Sequence, residues 1–246
     1  MVNFVILIIL HLLGDFYFQT SRIARCKNAK VGLECNGCTQ CKDGSKLNYK
    51  YIFIHIIIYN IPFIMLFFMA DWVNALIIIA ILFASHGIID VLSCFFNKRT
   101  KQTIVFIIDQ ILHVGVLFLI SKLFVLYALF DEYSIAVRTV FTVLTLIVPC
   151  SVLINKLFED LYPETIDVKV FDVGSIIGIL ERFLVIIFAY FEDFAAIAII
   201  ITVKTWARTN DLKEPDFRNK YLVGTLASMV LALVIFILAK GVLPSA

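Results

Sequence analysis

Long apolar stretches separated by short polar segments dominate this chain. A helix that crosses a bilayer needs about 20 mostly apolar residues, and eight stretches approach or exceed that length. They cover residues 2–19, 51–70, 73–95, 103–130, 134–157, 174–191, 194–208 and 220–240. The pattern predicts an all-α fold, a polytopic membrane bundle of about eight transmembrane helices. In the absence of a long repeat or a low-complexity linker, we expect residues 1–246 to form a single transmembrane domain.

The composition supports a membrane protein and excludes other classes. Of the 246 residues, 61% are hydrophobic and 16% are charged, and the mean hydropathy is +0.97. Soluble domains are about 45–50% apolar and about 25% charged, so this composition cannot form a soluble surface. The formal charge of +2 gives no support for a nucleic-acid partner. The expected partners are membrane lipids and a small-molecule or lipid substrate, and a homo-oligomer is compatible with the sequence.

Basic residues predict the orientation in the membrane, because cytoplasmic loops carry an excess of Lys and Arg. The long loop at 20–49 is basic, and so are the turns near 98–101 and 204–220, which fall on the same predicted side. The opposite turns hold acidic residues instead, among them Asp71, Asp131 and Glu192. We therefore expect the loop at 20–49 in the cytoplasm and both termini outside.

Three of the four histidines lie four residues from an aspartate, each pair within a different predicted span. Residues four apart on a helix share one face and lie one turn apart. Each pair can therefore offer two ligands from one helix, as the two histidines of HExxH metalloenzymes do. The pairs are His11 with Asp15, His86 with Asp90, and Asp109 with His113.

The order within each pair predicts that the six side chains meet. In spans 1 and 3, which run inward, the Asp follows the His, and in span 4, which runs outward, the Asp precedes it. All three aspartates should then lie in one layer, with the three histidines in the next. The hypothesis is a mononuclear or dinuclear site for Zn, Mn or Fe, which mixed imidazole and carboxylate ligands suit. A proton or ion relay and three local hydrogen bonds between helices are the alternatives.

Further polar residues fall at similar predicted depths. Gln19 and Gln110 are candidates for groups that support the metal ligands. His55 has no aspartate partner, and the sequence favours a helix-packing donor, with a seventh metal ligand or a supporting base as the alternatives. A second charged set lies in the C-terminal half and is predicted to hold a substrate anion. Snorkelling at the interface or inter-helix ion pairs are the alternatives for that set, which consists of Glu181, Arg182, Lys204 and Arg208.

The basic loop at 20–49 contains four cysteines in sixteen residues. Two successive Cys-x2-Cys spacings suit a thiolate-bound metal, and a cytoplasmic location argues against disulfides. The sequence favours Zn, with an iron–sulfur cluster as the second choice and unligated thiols as the alternative. The residues are Cys26, Cys35, Cys38 and Cys41.

The motifs resemble a known bacterial membrane-protein family, catalogued as domain of unknown function 3307. The resemblance is carried by HLLGDFYFQ at 11–19, HGIID at 86–90 and FIIDQILH at 106–113. Longer members are also similar at IIGILER (176–182), KTWAR (204–208) and YLVGTLAS (221–228). The resemblance implies a location in the bacterial cytoplasmic (inner) membrane, and the cysteine loop departs from the family pattern. A more distant similarity links the helices with HxxxD to inner-membrane metal-dependent hydrolases.

Together these features favour a metal-dependent membrane hydrolase that acts on a lipid or a phosphoester at a cytoplasm-facing site. A metal-ion or proton-coupled transporter that uses the same residues is the first alternative. A membrane scaffold with a metal-binding cysteine loop is the second. Transporters often contain paired interrupted helices in two related halves, and the sequence shows no such halves.

Overall fold

A computed structural model of the chain describes residues 1–27, 49–96, 101–162 and 173–242. In these ranges the protein is helical and contains no β-strand. Apolar segments form helices because a helix pairs its own backbone N–H and C=O groups. Hydrocarbon cannot form hydrogen bonds with these groups. The α-helices are α1 (Val2–Leu12), α2 (Ser21–Lys27), α3 (Tyr49–Asn60), α4 (Leu66–Met69), α5 (Trp72–Phe96), α6 (Gln102–Leu123), α7 (Ser134–Leu161), α8 (Val173–Tyr190), α9 (Phe194–Ala207) and α10 (Pro215–Val242).

Six helical segments of the described chain are long and apolar enough to cross a membrane. The segments at Val2–Tyr17 and Phe194–Ala207 are apolar but shorter, so the predicted count of eight spans is not confirmed. The six long segments are Tyr49–Met69, Trp72–Phe96, Gln102–Leu123, Asp131–Leu161, Val173–Tyr190 and Pro215–Gly241.

The predicted span 103–130 is too long at its C-terminal end. Helix α6 ends at Leu123, and Phe124 has an extended backbone. Beyond it, the Tyr127 N–H donates to the Met69 carbonyl at 2.6 Å, and the Asn3 side chain donates to the Leu126 carbonyl at 3.0 Å. The backbone of this segment therefore bonds to other parts of the chain. Because the segment is apolar, its hydropathy could not show that the helix ends at Leu123.

The chain divides into two compact units, Met1–Val137 and Arg138–Ala246. In the first unit, α5 packs against α3 and α6, and α1 packs against α6. The turn before α5 is closed by Asp71, whose carboxylate accepts from the backbone N–H groups of Val73 and Asn74 at 3.1 Å. These bonds, chiefly the one from Asn74, lower the pKa of Asp71 because they stabilise its ionised form.

A short π-helical turn at Leu13–Tyr17 continues α1. Its wider winding appears in the bond from the Phe18 N–H to the Leu13 carbonyl at 2.9 Å, five residues back. Within this turn Gly14 lies against α3, because a Cβ built on Gly14 would be 2.5 Å from the Tyr59 carbonyl oxygen. Only glycine permits this approach between the two backbones. π-helical turns of this kind frequently occur at functional sites.

The second unit has an apolar core formed by α7, α8, α9 and α10. Its buried members are Leu146, Cys150, Val185, Ala189, Ile197, Ala232 and Ile235. A charged residue, Arg182 on α8, lies against this core and is 3% exposed. Its Nε–H donates to the Leu146 carbonyl at 3.0 Å, and its two terminal nitrogens donate to Ser228 Oγ at 3.3 Å and Ser151 Oγ at 2.8 Å. One guanidinium thus ties α8 to both α7 and α10.

We expect Gly14→Ala to destabilise the protein by about 1–3 kcal/mol, the usual cost of forcing an extra methyl group into a packed site. The atoms it meets belong to the Tyr59 backbone and cannot rotate away. Thermal unfolding of purified protein in detergent measures the effect. The matched control is Gly115→Ala on α6, where an added Cβ meets no atom within 4 Å. We expect that control to be neutral or stabilising by about 0.5–1 kcal/mol. Equal unfolding temperatures for the two variants would contradict the close approach.

We expect Arg182→Lys to lower the free energy of unfolding by about 1–3 kcal/mol, the cost of leaving buried polar groups unsatisfied. A lysine ammonium keeps the charge but cannot reproduce the planar fork that reaches three oxygens on two helices. The control is Arg218→Lys, because Arg218 is exposed. Thermal unfolding in the same detergent compares the two, and an unchanged Arg182→Lys variant would show that the fork contributes nothing.

Candidate metal centre

Five elements of the first unit bring histidine and aspartate side chains to one interior position. The π-helical turn contributes Asp15, and α1, α3, α5 and α6 contribute the remaining side chains. The four histidines, Asp15 and Asp90 are all buried, with no more than 5% of any of them exposed, while Asp109 is half-buried. The set, which we call the His/Asp cluster, is His11, Asp15, His55, His86, Asp90, Asp109 and His113.

The cluster contains three groups of residues whose ligand atoms all lie within 4.8 Å of one another. Such spacing allows one metal ion to contact every member of a group. The first ligand group is Asp15, His55 and His86, and the second ligand group is Asp90, Asp109 and His113. The third, which we call the histidine group, is His11, His86 and His113.

In the first ligand group the three side chains face one another closely. His55 Nε2 lies 3.1 Å from Asp15 Oδ1 and 3.0 Å from His86 Nε2. Both Nε2 atoms also lie 3.5 Å from Asp90 Oδ2. Two imidazoles thus turn the same ring nitrogen toward the Asp90 carboxylate, an arrangement that could hold a shared cation.

In the second ligand group the separations are wider. His113 Nε2 lies 3.8 Å from Asp109 Oδ2 and 4.0 Å from Asp90 Oδ1, too far for hydrogen bonds. Within the described part of the chain, this buried nitrogen has no hydrogen-bond partner. Metal bonds to imidazole and carboxylate are about 2.0–2.2 Å long, so a cation between these atoms contacts all of them. The geometry fits a metal ion and does not fit a hydrogen-bonded trio.

Gln110 and Tyr59 hold the ligands from the side. The Gln110 amide donates to Asp15 Oδ2 at 3.0 Å and to Asp109 Oδ2 at 3.1 Å, and its oxygen lies 3.2 Å from His11 Nε2. The Tyr59 hydroxyl lies 3.2 Å from His11 Nδ1, and its ring stacks on His86 with centroids 3.5 Å apart. Partners of this kind orient metal ligands and fix their tautomers.

Hydrogen bonding also fixes Asp109 from the α5 side. The Ser93 hydroxyl donates to Asp109 Oδ1 at 2.5 Å, so both carboxylate oxygens of Asp109 have donors. Gln19, a predicted supporting residue, acts on the backbone instead, because its amide donates to the Asp15 carbonyl. That contact lies at the π-helical turn and stabilises the position of Asp15 without touching its carboxylate.

The six residues singled out from the three His/Asp pairs are thus brought together, and the three histidines of those pairs form one group. The sequence left His55 open between a helix-packing donor, a supporting base and a seventh ligand, because it has no aspartate partner on its own helix. The structure places it between Asp15 and Asp90, which come from other elements. Tyr59 was missed altogether. Its signal was the same four-residue spacing, since His55 and Tyr59 occupy one face of α3.

The predicted anion-binding residues lie in the second unit and contact other protein groups. Lys204 Nζ donates to Glu181 Oε2 at 2.5 Å, and Arg208 lies 3.6 Å from Asp211 at an exposed position. Adjacent residues on a helix point in different directions, so Glu181 pairs with α9 while Arg182 pairs with α7 and α10. Their role in holding a substrate stays a prediction.

The cysteine loop falls outside the described residues. The backbone of Cys26 belongs to α2, whereas its side chain and Cys35, Cys38 and Cys41 are not described. The two cysteines within spans, Cys94 and Cys150, are buried, and buried cysteines behave as small packing residues.

Comparison with known proteins gives one match. A family model described as protein of unknown function (DUF3307) matches residues 3–143, more than half of the chain. The match includes every member of the His/Asp cluster and ends within α7, before the predicted anion-binding residues Glu181, Arg182, Lys204 and Arg208. No curated protein and no solved structure matches. The chain therefore belongs to the DUF3307 family.

Proposed function

We propose that this protein is a multi-pass membrane metalloprotein that uses the His/Asp cluster to hydrolyse a lipid or phosphoester. One observation carries the proposal: seven ligand-type side chains from separate helices converge in an apolar, buried interior. Ionisable groups inside a membrane protein are costly and are usually kept for function. Three local hydrogen bonds between helices would not need all seven of these side chains at one position.

Charge balance favours a cation at this position. Asp15, Asp90 and Asp109 lie around the same histidines, and three ionised carboxylates repel one another in a medium of low dielectric constant. Neutral imidazoles do not compensate those charges. A divalent ion compensates two of the three charges, and the mixed nitrogen and oxygen ligands suit Zn, Mn or Fe. This ligand set suits Ca and Mg less well, because these two ions prefer oxygen ligands.

A metal ion in this cluster would supply Lewis-acid activation of water and of the ester group. The chain's own residues supply the rest. An aspartate oxygen that is not occupied by metal accepts the proton of the attacking water, and the water oxygen then bonds to the acyl or phosphoryl centre. The bond to the leaving alcohol breaks, and the alcohol oxygen takes up a proton. Gln110 keeps Asp15 and Asp109 in position during this exchange.

A lipid substrate fits the surroundings of the cluster. Next to Asp109 and Gln110, α6 carries exposed apolar side chains, among them Ile107, Ile108 and Ile111. Such a surface suits contact with acyl chains, which brings membrane lipids to the helix that carries two cluster residues. We place the protein in the bacterial cytoplasmic membrane with both termini outside, as the distribution of basic residues favours.

The second candidate function is a metal-ion or proton-coupled transporter. The observation that favours it is the nearly complete burial of the histidines, which are at most 3% exposed. A transit site closed to both sides has this property in one of its states. A direct measurement of product formation against ion flux separates the two functions.

We expect purified protein to contain a divalent metal even after Cys26, Cys35, Cys38 and Cys41 are all changed to Ser. In that background, the double variant His86→Asn/His113→Asn should lose the metal, because every one of the three groups contains His86 or His113. Elemental analysis of the detergent-purified protein measures the content. Ser85→Ala is the matched control, since its hydroxyl donates to the Leu82 carbonyl of its own helix. Metal content that survives the double His substitution, with helicity unchanged, would exclude the cluster as the site.

For activity, we expect metal-loaded protein in nanodiscs to hydrolyse phosphatidate or phosphatidylglycerol, with products identified by mass spectrometry. A chelator should abolish the reaction, and Asp109→Asn should slow it by about 10–100-fold, the range for loss of a group that supports a metal site. Asp131→Asn, an exposed acidic control outside the cluster, should not. If no product forms while proteoliposomes take up Zn²⁺ or Mn²⁺, the hydrolase proposal is wrong and the transporter proposal is supported.

A further inference from the structure

The first and second ligand groups have no residue in common. One contains Asp15, His55 and His86, and the other contains Asp90, Asp109 and His113. Each combines at least one imidazole with at least one carboxylate. Three protein ligands with an open position are the pattern of catalytic metal sites, where water or substrate takes the remaining place. The cluster therefore contains two such sets side by side.

A single ion leaves most of this arrangement unused. Zinc in proteins is usually four-coordinate, whereas the cluster offers seven ligand-type side chains. An ion in the first ligand group takes its nitrogen ligands from His55 and His86. His113 then has no role in binding that ion. His113 Nε2 is one of the buried histidine nitrogens for which the described residues provide no hydrogen-bond partner. A second ion supplies that partner.

Asp90 faces both groups with different oxygens. Its Oδ2 lies 3.5 Å from the Nε2 atoms of His55 and His86, and its Oδ1 lies 4.0 Å from His113 Nε2. A carboxylate that presents one oxygen to each of two ligand sets is the bridge found between paired metal ions. Such ions lie about 3.5–4 Å apart, a separation that one carboxylate spans.

Gln110 connects the two groups from the opposite side. The same amide nitrogen donates to Asp15 Oδ2 in the first ligand group and to Asp109 Oδ2 in the second. These bonds leave Asp15 Oδ1 facing His55 at 3.1 Å. One carboxylate of each group is thus held at a fixed distance from the other, which is what a pair of ions at constant separation requires.

We infer that the cluster holds two divalent cations, one in each ligand group, with the Asp90 carboxylate bridging them. This inference rests on the proposed function, because it assumes that the cluster binds metal. It makes Asp90 a ligand of both ions and His55 a direct ligand. It also narrows the substrate class to phosphoesters, whose attacking and leaving oxygens two ions can contact together.

The test measures how many Mn²⁺ ions bind to the full chain in which the four loop cysteines are changed to Ser. At saturating Mn²⁺ we expect two ions per chain, falling to one in Asp15→Asn and to one in Asp109→Asn, with Asp131→Asn unchanged at two. One ion in the parent chain overturns the two-ion inference and leaves the metal site standing. No bound ion overturns the proposed function itself, so the two failures are distinguishable.

Asp90→Asn provides a readout that a merely structural role would not change. In the parent chain, two Mn²⁺ ions that share a carboxylate give an exchange-coupled electron paramagnetic resonance spectrum. Neutralising the bridge should remove that coupling or release one ion, while Asp131→Asn keeps it. A spectrum of isolated Mn²⁺ in the parent chain, at two ions bound, contradicts the bridge.

His11→Ala separates this arrangement from a single ion in the histidine group. In the two-ion arrangement His11 lies outside both ligand groups and positions Gln110. We therefore expect the variant to keep both ions at saturation, with affinity lowered about 10–100-fold. Loss of all bound Mn²⁺ at saturation would instead assign the ion to His11, His86 and His113, and would overturn the inference.

Discussion

Carboxylates that share an apolar interior need compensating charge, and this requirement determines the organisation of the first unit. Asp15 and Asp90 are almost completely buried, and Asp109 lies beside them. Each carboxylate faces imidazole nitrogens. In addition, the Gln110 amide donates to Asp15 and Asp109, and the Ser93 hydroxyl donates to Asp109. Hydrogen bonds from neutral groups reduce the cost of burying such charges but do not balance them. A bound cation would balance them, and this would explain why ligand-type residues converge from several elements.

The cluster depends on how closely the backbones approach. Asp15 reaches His55 because Gly14 lets the π-helical turn touch the backbone of α3 at Tyr59. The π-helical winding adds a further rotation at this point, so Asp15 is not placed by regular helix geometry alone. Tyr59 then serves two purposes at one contact, since its backbone meets Gly14 while its ring covers His86. Small changes in the packing of the π-helical turn on α3 therefore move members of the His/Asp cluster.

The sequence predicted the helical membrane fold and the convergence of the three His/Asp pairs, because both follow from local periodicity. A four-residue spacing determines which side chains share a helix face, and the direction of each span determines their order in depth. The partners of His55 come from other elements, so no local spacing could reveal them. The same limit applies to α6, which ends at Leu123 because the following backbone bonds to Met69 and Asn3. Hydropathy records composition and not hydrogen-bond partners.

Charged side chains have different kinds of partners in the two units, and this difference indicates which unit carries out chemistry. In the second unit Lys204 pairs with Glu181, and Arg182 uses its nitrogens on the Leu146 carbonyl and two serine hydroxyls. The Ser151 hydroxyl itself donates to the Ile147 carbonyl, so its oxygen is free to accept from Arg182. These contacts are short and complete, as structural ties between helices should be. In the first unit, His113 Nε2 stands 3.8–4.0 Å from two carboxylates that it cannot hydrogen-bond. A protein gains no stability from holding these three groups apart in hydrocarbon, so their separation is best explained by an ion that they are arranged to bind.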